Sequence, residues 1–264
     1  MIDINTFFRK RIGFPEKEII TFEQLDEVLE KTAQSIPFEN ICIINKNTSD
    51  ISKETLVNKI LDRNEGGVCY ELNPILYLFL QANSFDVSLV RGAVYNHSSQ
   101  NWAPTGLTHV TILVNHNNQT YVIDTGFGGN LPLTPVPLNG EAVDSNNGQF
   151  RIKKQDSEYG DYVLEMKLKY KDSDWKLGYA FDTKRIVRDL SELNAIKQVI
   201  SESEHSAFNK APLMIKITDS GTVTLTPSSL TVWKDGEMKK EDIDEKQFND
   251  LAKQHFGMDI NILK

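Results

Sequence analysis

The 264 residues are 39% hydrophobic and 25% charged, an ordinary composition for a soluble protein of one or two domains with room for a substantial core. A formal charge of -8 argues against a polyanion-binding role, so nucleic acid is not an expected partner, although local groups can still hold a small anion. No apolar run approaches the roughly 20 residues of a membrane span, and the opening MIDINTFFRKRIGF lacks the apolar core of a signal peptide.

The first third reads as helices. In TFEQLDEVLEKTAQS, Thr21 is the N-cap, Gln24 completes a capping box, and Leu25, Val28 and Leu29 fall at helical spacing. SKETLVNKILDR predicts a second helix capped by Ser52, with Leu56, Val57, Ile60 and Leu61 on one face. RNEGGVCYELNPILYLFL then sets the glycines Gly66 and Gly67 before Cys69 and a long apolar run. The residue before proline avoids the α region. Either Asn73 is therefore an N-cap with Pro74 as first helical residue, or the helix begins near Cys69 and bends at Pro74. Both readings stand at this level.

The middle reads as strands: DVSLVRGAVY, THVTILVN, TYVIDTG, QFRIKKQ and DYVLEMKLKY. The last part is mixed. SELNAIKQVISES and DEKQFNDLAKQHF are helical, and APLMIKITDSGTVTLTPSSLTVWKDGEM reads as strands with turns at Asp219 to Gly221 and at Asp235-Gly236. Helices, then antiparallel strands, then a mixed segment indicate an α+β fold.

Only two cysteines are present, Cys42 and Cys69, too few for a disulfide scaffold and not in a C-x-x-C pair. A reducing, cytoplasmic address is the expectation. A cysteine at a helix N-terminus has its thiolate favoured, though a cysteine between Val68 and Tyr70 is more often a core residue. A partner changes that balance. His109 opens one apolar strand and Asp124 closes the next, with HNNQ between them as turn material. With His116 and Asn117 as a two-residue turn, His109 faces Asp124 directly. With Asn117 and Asn118, Asp124 faces Thr111, one diagonal step from His109. Either register puts both side chains on one face, about 4.5 to 8 Å apart at Cβ. A three-residue loop would put them on opposite faces, and the same-face reading is the expectation. Asp124 would then orient the imidazole, and His109 would draw the proton from Cys69 to make a nucleophile for acyl groups. The competing reading of His109 and Asp124 is a polar pair that braces a hairpin.

The chain resembles the arylamine N-acetyltransferase family nearly end to end. FFRKRIGF, IPFENI, GGVCYELN, GLTHVTILV, IDTGFGGN, ITDSGTVTL, LTVWKDGE and FGMDI are similar to the family's motifs in order. The resemblance implies a helical bundle over residues 1–84, an antiparallel β-barrel over 85–190 and an α/β lid over 191–264, around a core like that of cysteine proteases and transglutaminases. It implies a ping-pong reaction in which acetyl-CoA acylates the cysteine and an aromatic amine or hydrazine takes the acetyl group, with no permanently bound cofactor. By the motifs, Cys69, His109 and Asp124 are the catalytic triad. Thr105, Gly106, Gly126, Phe127 and Gly128 fall where the family holds CoA, and Phe38, Val94 and Phe127 fall at the substrate pocket. GFGG, residues 126–129, would offer backbone N–H groups to the pyrophosphate.

Some positions depart from the family. Glu65 stands where the family often has an arginine before the Gly-Gly pair, with Arg63 two residues earlier; if that arginine serves a structural ion pair, this region is braced differently. A carboxylate there would disfavour a thiolate if it pointed inward. Residues 201–208 match the lid segment only at Ser201, Ser206 and Phe208, and His205 is not carried over. The rival readings are a papain- or transglutaminase-like enzyme acting on peptide or glutamine amides, and a non-catalytic CoA-binding homologue. A metal site is rejected, because no two His or Cys residues have zinc-ligand spacing. Trp102 and Trp175 are read as packing residues, KKEDIDEK as a solvated face, and Cys42 as a buried hydrophobe.

Overall fold

The computed structural model describes residues 3–260 of an α+β protein. Helix α1 (Ile4–Ile12) begins at Asp3, whose carboxylate accepts the Thr6 N–H at 3.3 Å, and ends on Gly13 at φ +66°. A 3-10 turn, Phe22–Gln24, leads into α2 (Leu25–Ser35), and Gln24 Oε1 accepts the Thr21 N–H at 3.0 Å, as the capping box requires. Strand β1 (Phe38–Glu39) and the single-turn helices α3 (Ile41–Ile44) and α4 (Lys53–Leu56) follow, with Ser52 capping α4.

Sequence spacing predicts that α4 continues as an α-helix through Arg63. Instead the chain widens into a π-helical stretch, Val57–Asp62, which buries Val57, Ile60 and Leu61 and also turns Lys59 inward. Helix α5 (Cys69–Ala82) starts at the cysteine and runs through Pro74, so the second of the two sequence readings holds. It is buried without a break from Cys69 to Leu76, as a helix at the centre of a molecule is. Phe79 stacks on Phe8 of α1 at 4.3 Å between ring centroids.

The central sheet comprises β2 (Asp86–Asn96), β3 (Asn101–Trp102), β4 (His109–His116), β5 (Gln119–Ile123), β6 (Val136–Pro137), β7 (Val143–Ser145), β8 (Gly148–Ser157), β9 (Gly160–Leu168) and β10 (Lys176–Val187). Its antiparallel order is β6-β5-β4-β2-β10-β9-β8-β7, with β3 on β2. β6 returns against β8, which makes a nearly closed barrel. Phe150, Ile152, Leu164, Tyr179 and Phe181 fill its interior. The β4–β5 hairpin turns at Asn117 and Asn118, both at positive φ (49° and 60°), and His116 pairs with Gln119. This is the second register considered above, and asparagines suit its left-handed turn residues.

The C-terminal part contains α6 (Leu193–Glu202), β11 (Met214–Thr218), β12 (Gly221–Thr226), β13 (Ser229–Lys234), β14 (Glu237–Asp242) and α7 (Glu245–Phe256). Phe248, Ala252 and Phe256 of α7 pack on Met214, Val223 and Leu225 of the sheet. β1 completes that sheet through the pairs Phe38–Ile215 and Glu39–Met214, so the IPFENI segment is tied into it. The KKEDIDEK run is not only a solvated face: its first half lies in β14, an exposed edge strand whose charges oppose edge-to-edge pairing.

Candidate active site

The two glycines before Cys69 let the chain slide along β1. Gly67 N–H donates to the Pro37 carbonyl and Glu39 N–H to the Gly67 carbonyl, at 3.2 and 2.9 Å. A Cβ on Gly66 would lie 2.1 Å from Pro37 O, so no larger residue fits. Val68 N–H donates to Glu71 Oε2 at 3.0 Å, which closes the first turn of α5 and leaves Cys69 as its first residue, 9% exposed. The positive end of the helix dipole there favours an anion.

Behind this turn is a buried ion cluster. Lys59 Nζ lies 2.7 Å from Glu71 Oε1 and 3.5 Å from Glu39 Oε1, and Glu39 Oε2 accepts the Ile41 N–H at 2.6 Å. Burial alone would lower the Lys59 pKa, but the two carboxylates outweigh it and hold the ammonium charged. Burial pushes the Glu39 carboxyl up, against the opposing pull of Lys59. Lys59 thus ties the first turn of α5 to β1 through Glu71 and Glu39. Glu65 is turned the other way, gripped by Arg63 at 2.7 and 2.9 Å. Cys42 is half-buried rather than buried, with its thiol 3.8 Å from Glu65 Oε2, and burial together with these carboxylates pushes it up to about 12.

The strands deliver the other two residues. His109, first in β4, and Asp124, just past β5, are 3% and 1% exposed, and His109 Nε2 bonds Asp124 Oδ2 at 2.7 Å. The Cys69 thiol is the other polar neighbour of the imidazole, and it reaches the Thr108 carbonyl at 3.5 Å. Burial lowers the His109 pKa, but the Asp124 charge and hydrogen bond, aided by Cys69, raise it to about 10. Tyr179 and Phe127 flank the ring at centroid distances of 4.4 and 5.4 Å. Gly126 permits a close approach to the nucleophile itself: a Cβ there would stand 2.5 Å from Cys69 Cα. Its N–H turns inward to Asp124 Oδ1 at 2.7 Å.

Cys69, His109 and Asp124 therefore meet in one buried cluster, with Phe127 against it. Val94 pairs with Tyr179 across β2 and β10 and packs on the same barrel cluster as Phe127. Phe38 pairs with Ile215 of β11 and lies edge-on to Phe208 at 5.5 Å and 3.9 Å from a Cβ placed on Gly128. Thr105 Oγ1 accepts from Thr108 Oγ1 at 3.1 Å, and Gly106 sits at φ +66° beside open space. Trp102 packs on Tyr95 at 5.3 Å, and Trp175 lies under Arg151 at 4.0 Å. Sequence reasoning did not find Asn73, Lys59 or Tyr179 as site residues. Asn73 drew notice only as a capping problem, Lys59 sat in a helical pattern that the π-turn breaks, and Tyr179 belongs to a strand that carries no alternation.

A family profile for N-acetyltransferases matches residues 21–264. The NAT3 arylamine N-acetyltransferase from Bacillus cereus superposes at a TM-score of 0.92 and 43% identity, over 98% of this chain and 100% of that one. The chain belongs to the arylamine N-acetyltransferase family. Arylamine N-acetyltransferase C from Bacillus anthracis superposes at 0.91 with 39% identity, covering 97% of this chain and 99% of that one. The uncharacterized acetyltransferase YvcN of Bacillus subtilis (strain 168) is 38% identical over 97% of this chain and 100% of its own. The protein is accordingly an acetyltransferase, with acetyl-CoA as acyl-donor substrate, and not a peptidase or transglutaminase of similar residue order. The B. cereus NAT3 structure is described as revealing a unique Cys-His-Glu catalytic triad; in the present family member the carboxylate bonded to His109 is an aspartate. Among the described residues no three His, Cys, Asp or Glu side chains are placed to hold a metal ion, and no helix is long and apolar enough to cross a membrane.

Proposed function

We propose that Cys69, His109 and Asp124 are the catalytic triad of a ping-pong acetyl transfer. The observation that carries this reading is the 2.7 Å His109–Asp124 bond, made in the same buried cluster that holds Cys69 at the head of α5. His109 takes the Cys69 proton, and the thiolate attacks the acetyl carbonyl carbon of acetyl-CoA. The carbon–sulfur bond to CoA breaks, and the imidazolium proton goes to the departing CoA sulfur. The acceptor nitrogen then attacks the Cys69 thioester. His109 accepts the proton from that nitrogen, and the Cys69 sulfur leaves as the amide forms. Asp124 fixes the tautomer and stabilises the imidazolium in both halves.

The acceptor is a small aromatic amine or hydrazine. Phe38 on one side and Val94 and Phe127 on the other offer apolar and aromatic walls for a flat ring. CoA runs past Thr105 and Gly106 to the loop after Asp124. Gly126 contributes there by close approach to Cys69, since its own N–H is taken. The N–H groups of Phe127, Gly128 and Gly129 are then the ones that face a phosphate. The division at residues 84/85 and 190/191 assigns the nucleophile to the helical part, His109 and Asp124 to the barrel, and closure to the lid. Two free thiols fit a reducing cytoplasm.

The test is the intact mass after mixing with acetyl-CoA and no amine, beside Cys69→Ala. One acetyl group on the native protein alone, discharged by an arylhydrazine, is expected. No adduct on folded native protein, or an equal adduct on Cys69→Ala, overturns the reading.

A further inference from the structure

Asn73 touches every segment that carries the site. It lies one turn after Cys69 on the same face of α5 and is fully buried. Its Nδ2 donates to the Val110 carbonyl at 2.6 Å, next to His109, and to Asp124 Oδ1 at 2.8 Å. Its Oδ1 accepts from Thr125 N–H at 2.9 Å and Thr125 Oγ1 at 3.2 Å. Both donors and both lone pairs of the amide are therefore used. No other side chain of this size gives two donors on one side and an acceptor on the other. Ionised Asp and Leu match its shape and supply no donor.

The bonding also explains a local conflict. A residue before proline is disfavoured in the helical region, yet Asn73 is helical and precedes Pro74. The four bonds hold it there. The gain appears at Asp124, whose carboxylate has two oxygens that could each face the imidazole. Asn73 and the Gly126 N–H occupy Oδ1, so Oδ2 is the oxygen left to His109.

We propose that Asn73 is a positioning residue for acetyl transfer: its amide fixes which oxygen of Asp124 faces His109 and ties the helix of Cys69 to both strands. The proposal rests on the triad reading above. The titratable groups that face this network are Asp124, His109, Cys69 and Tyr179.

The test follows Cys69 acetylation by acetyl-CoA in single-turnover mixing, across pH, for the native protein, Asn73→Asp and Asn73→Ala, each below its own unfolding temperature. At neutral pH both variants should acetylate about 10- to 100-fold more slowly, because a buried charged acceptor has lost a partner. As pH falls, Asn73→Asp should recover relative to the native protein, because the protonated carboxyl again has a hydrogen to donate. Asn73→Ala should not recover. Ratios to the native rate at each pH remove the titration common to all three proteins, and Asn73→Ala controls for the change that loss of the amide itself makes to the triad's titration. A merely structural role would lower the melting temperature of Asn73→Asp and leave that ratio independent of pH, which overturns the proposal. Native-like rates in Asn73→Ala overturn it as well, even if Asn73→Asp fails to fold. Failure of the native protein to acetylate at Cys69 would instead sink the triad reading itself.

Discussion

Lys59 and Glu71 meet at 2.7 Å behind the first turn of α5, and the second oxygen of the same Glu71 carboxylate holds the Val68 N–H. A buried ion pair is thereby joined to the backbone that sets Cys69 at the helix N-terminus. Glu39 shares the ammonium from the other side, so two acids depend on one lysine. Removing one member of such a group costs more than the pair contributes, because a charge is left buried alone.

Lys59→Met should therefore destabilise the protein by about 3–5 kcal/mol, read by chemical denaturation at neutral pH. The deficit should shrink as pH falls. Without Lys59 nothing opposes the burial that already holds the Glu39 carboxyl above its ordinary value, so its folded-state pKa rises further, folding takes up a proton and low pH favours the folded variant. Adding Glu39→Gln should restore part of the loss. A pH-independent deficit of under 1 kcal/mol would show that the cluster is not a brace.

The two thiols should react very differently. Cys42 is pushed up to about 12, chiefly by burial, so almost none of it is thiolate at neutral pH. Cys69 sits at a helix N-terminus beside an imidazole that holds its proton, the setting in which cysteines are reactive. Brief treatment with iodoacetamide followed by peptide mapping should find the label on Cys69 and leave Cys42 free. Equal labelling of both would contradict this assignment of environments.

The sequence reveals the site's chemistry more fully than its supports. The β-branched runs of β4 and β5 and the turn residues between them favoured two registers that put His109 and Asp124 on one face over a three-residue loop that would part them, and the pairing found is one of those two. Physical context decided the rest. Helix α5 accepts Pro74 because tertiary hydrogen bonds hold Asn73 in the helix, and no local propensity encodes that. β10 escaped because Tyr179, Ala180 and Phe181 are all fully buried, so period-two alternation is lost. Lys59 reads as a solvent residue until a π-turn rotates it inward toward two carboxylates distant in sequence.

His109 gives a pH signature in stability. Its folded pKa is raised from 6.5 to about 10, so the stability it contributes is fully present below the unfolded value and is lost as pH rises through the folded one. Between those values the native protein should lose stability with rising pH relative to His109→Gln, with a slope of at most about 1.4 kcal/mol per pH unit for one proton. Denaturation curves for both proteins at several pH values across this window measure it. Parallel pH dependence in the two proteins would show that His109 does not hold its proton in the folded state.

Gly126 and Gly106 separate two reasons for a glycine. At Gly126 the added methyl of alanine meets Cys69 Cα at 2.5 Å and Asn73 Nδ2 at 2.8 Å. Neither can retreat, since one is helix backbone and the other is bonded to Asp124. Gly126→Ala should thus cost about 1–3 kcal/mol from overpacking and also slow Cys69 acetylation by at least about tenfold, because it drives β5 away from α5. At Gly106 there is open space, and alanine meets only the left-handed φ of +66°. Gly106→Ala should cost about 1–2 kcal/mol and, below its unfolding temperature, leave Cys69 alkylation by iodoacetamide at the native rate. Alkylation needs Cys69 and His109 but not the CoA loop, so it isolates the geometry at the cysteine. If Gly126→Ala alkylates as fast as Gly106→Ala, the close approach of β5 to α5 does not set that geometry.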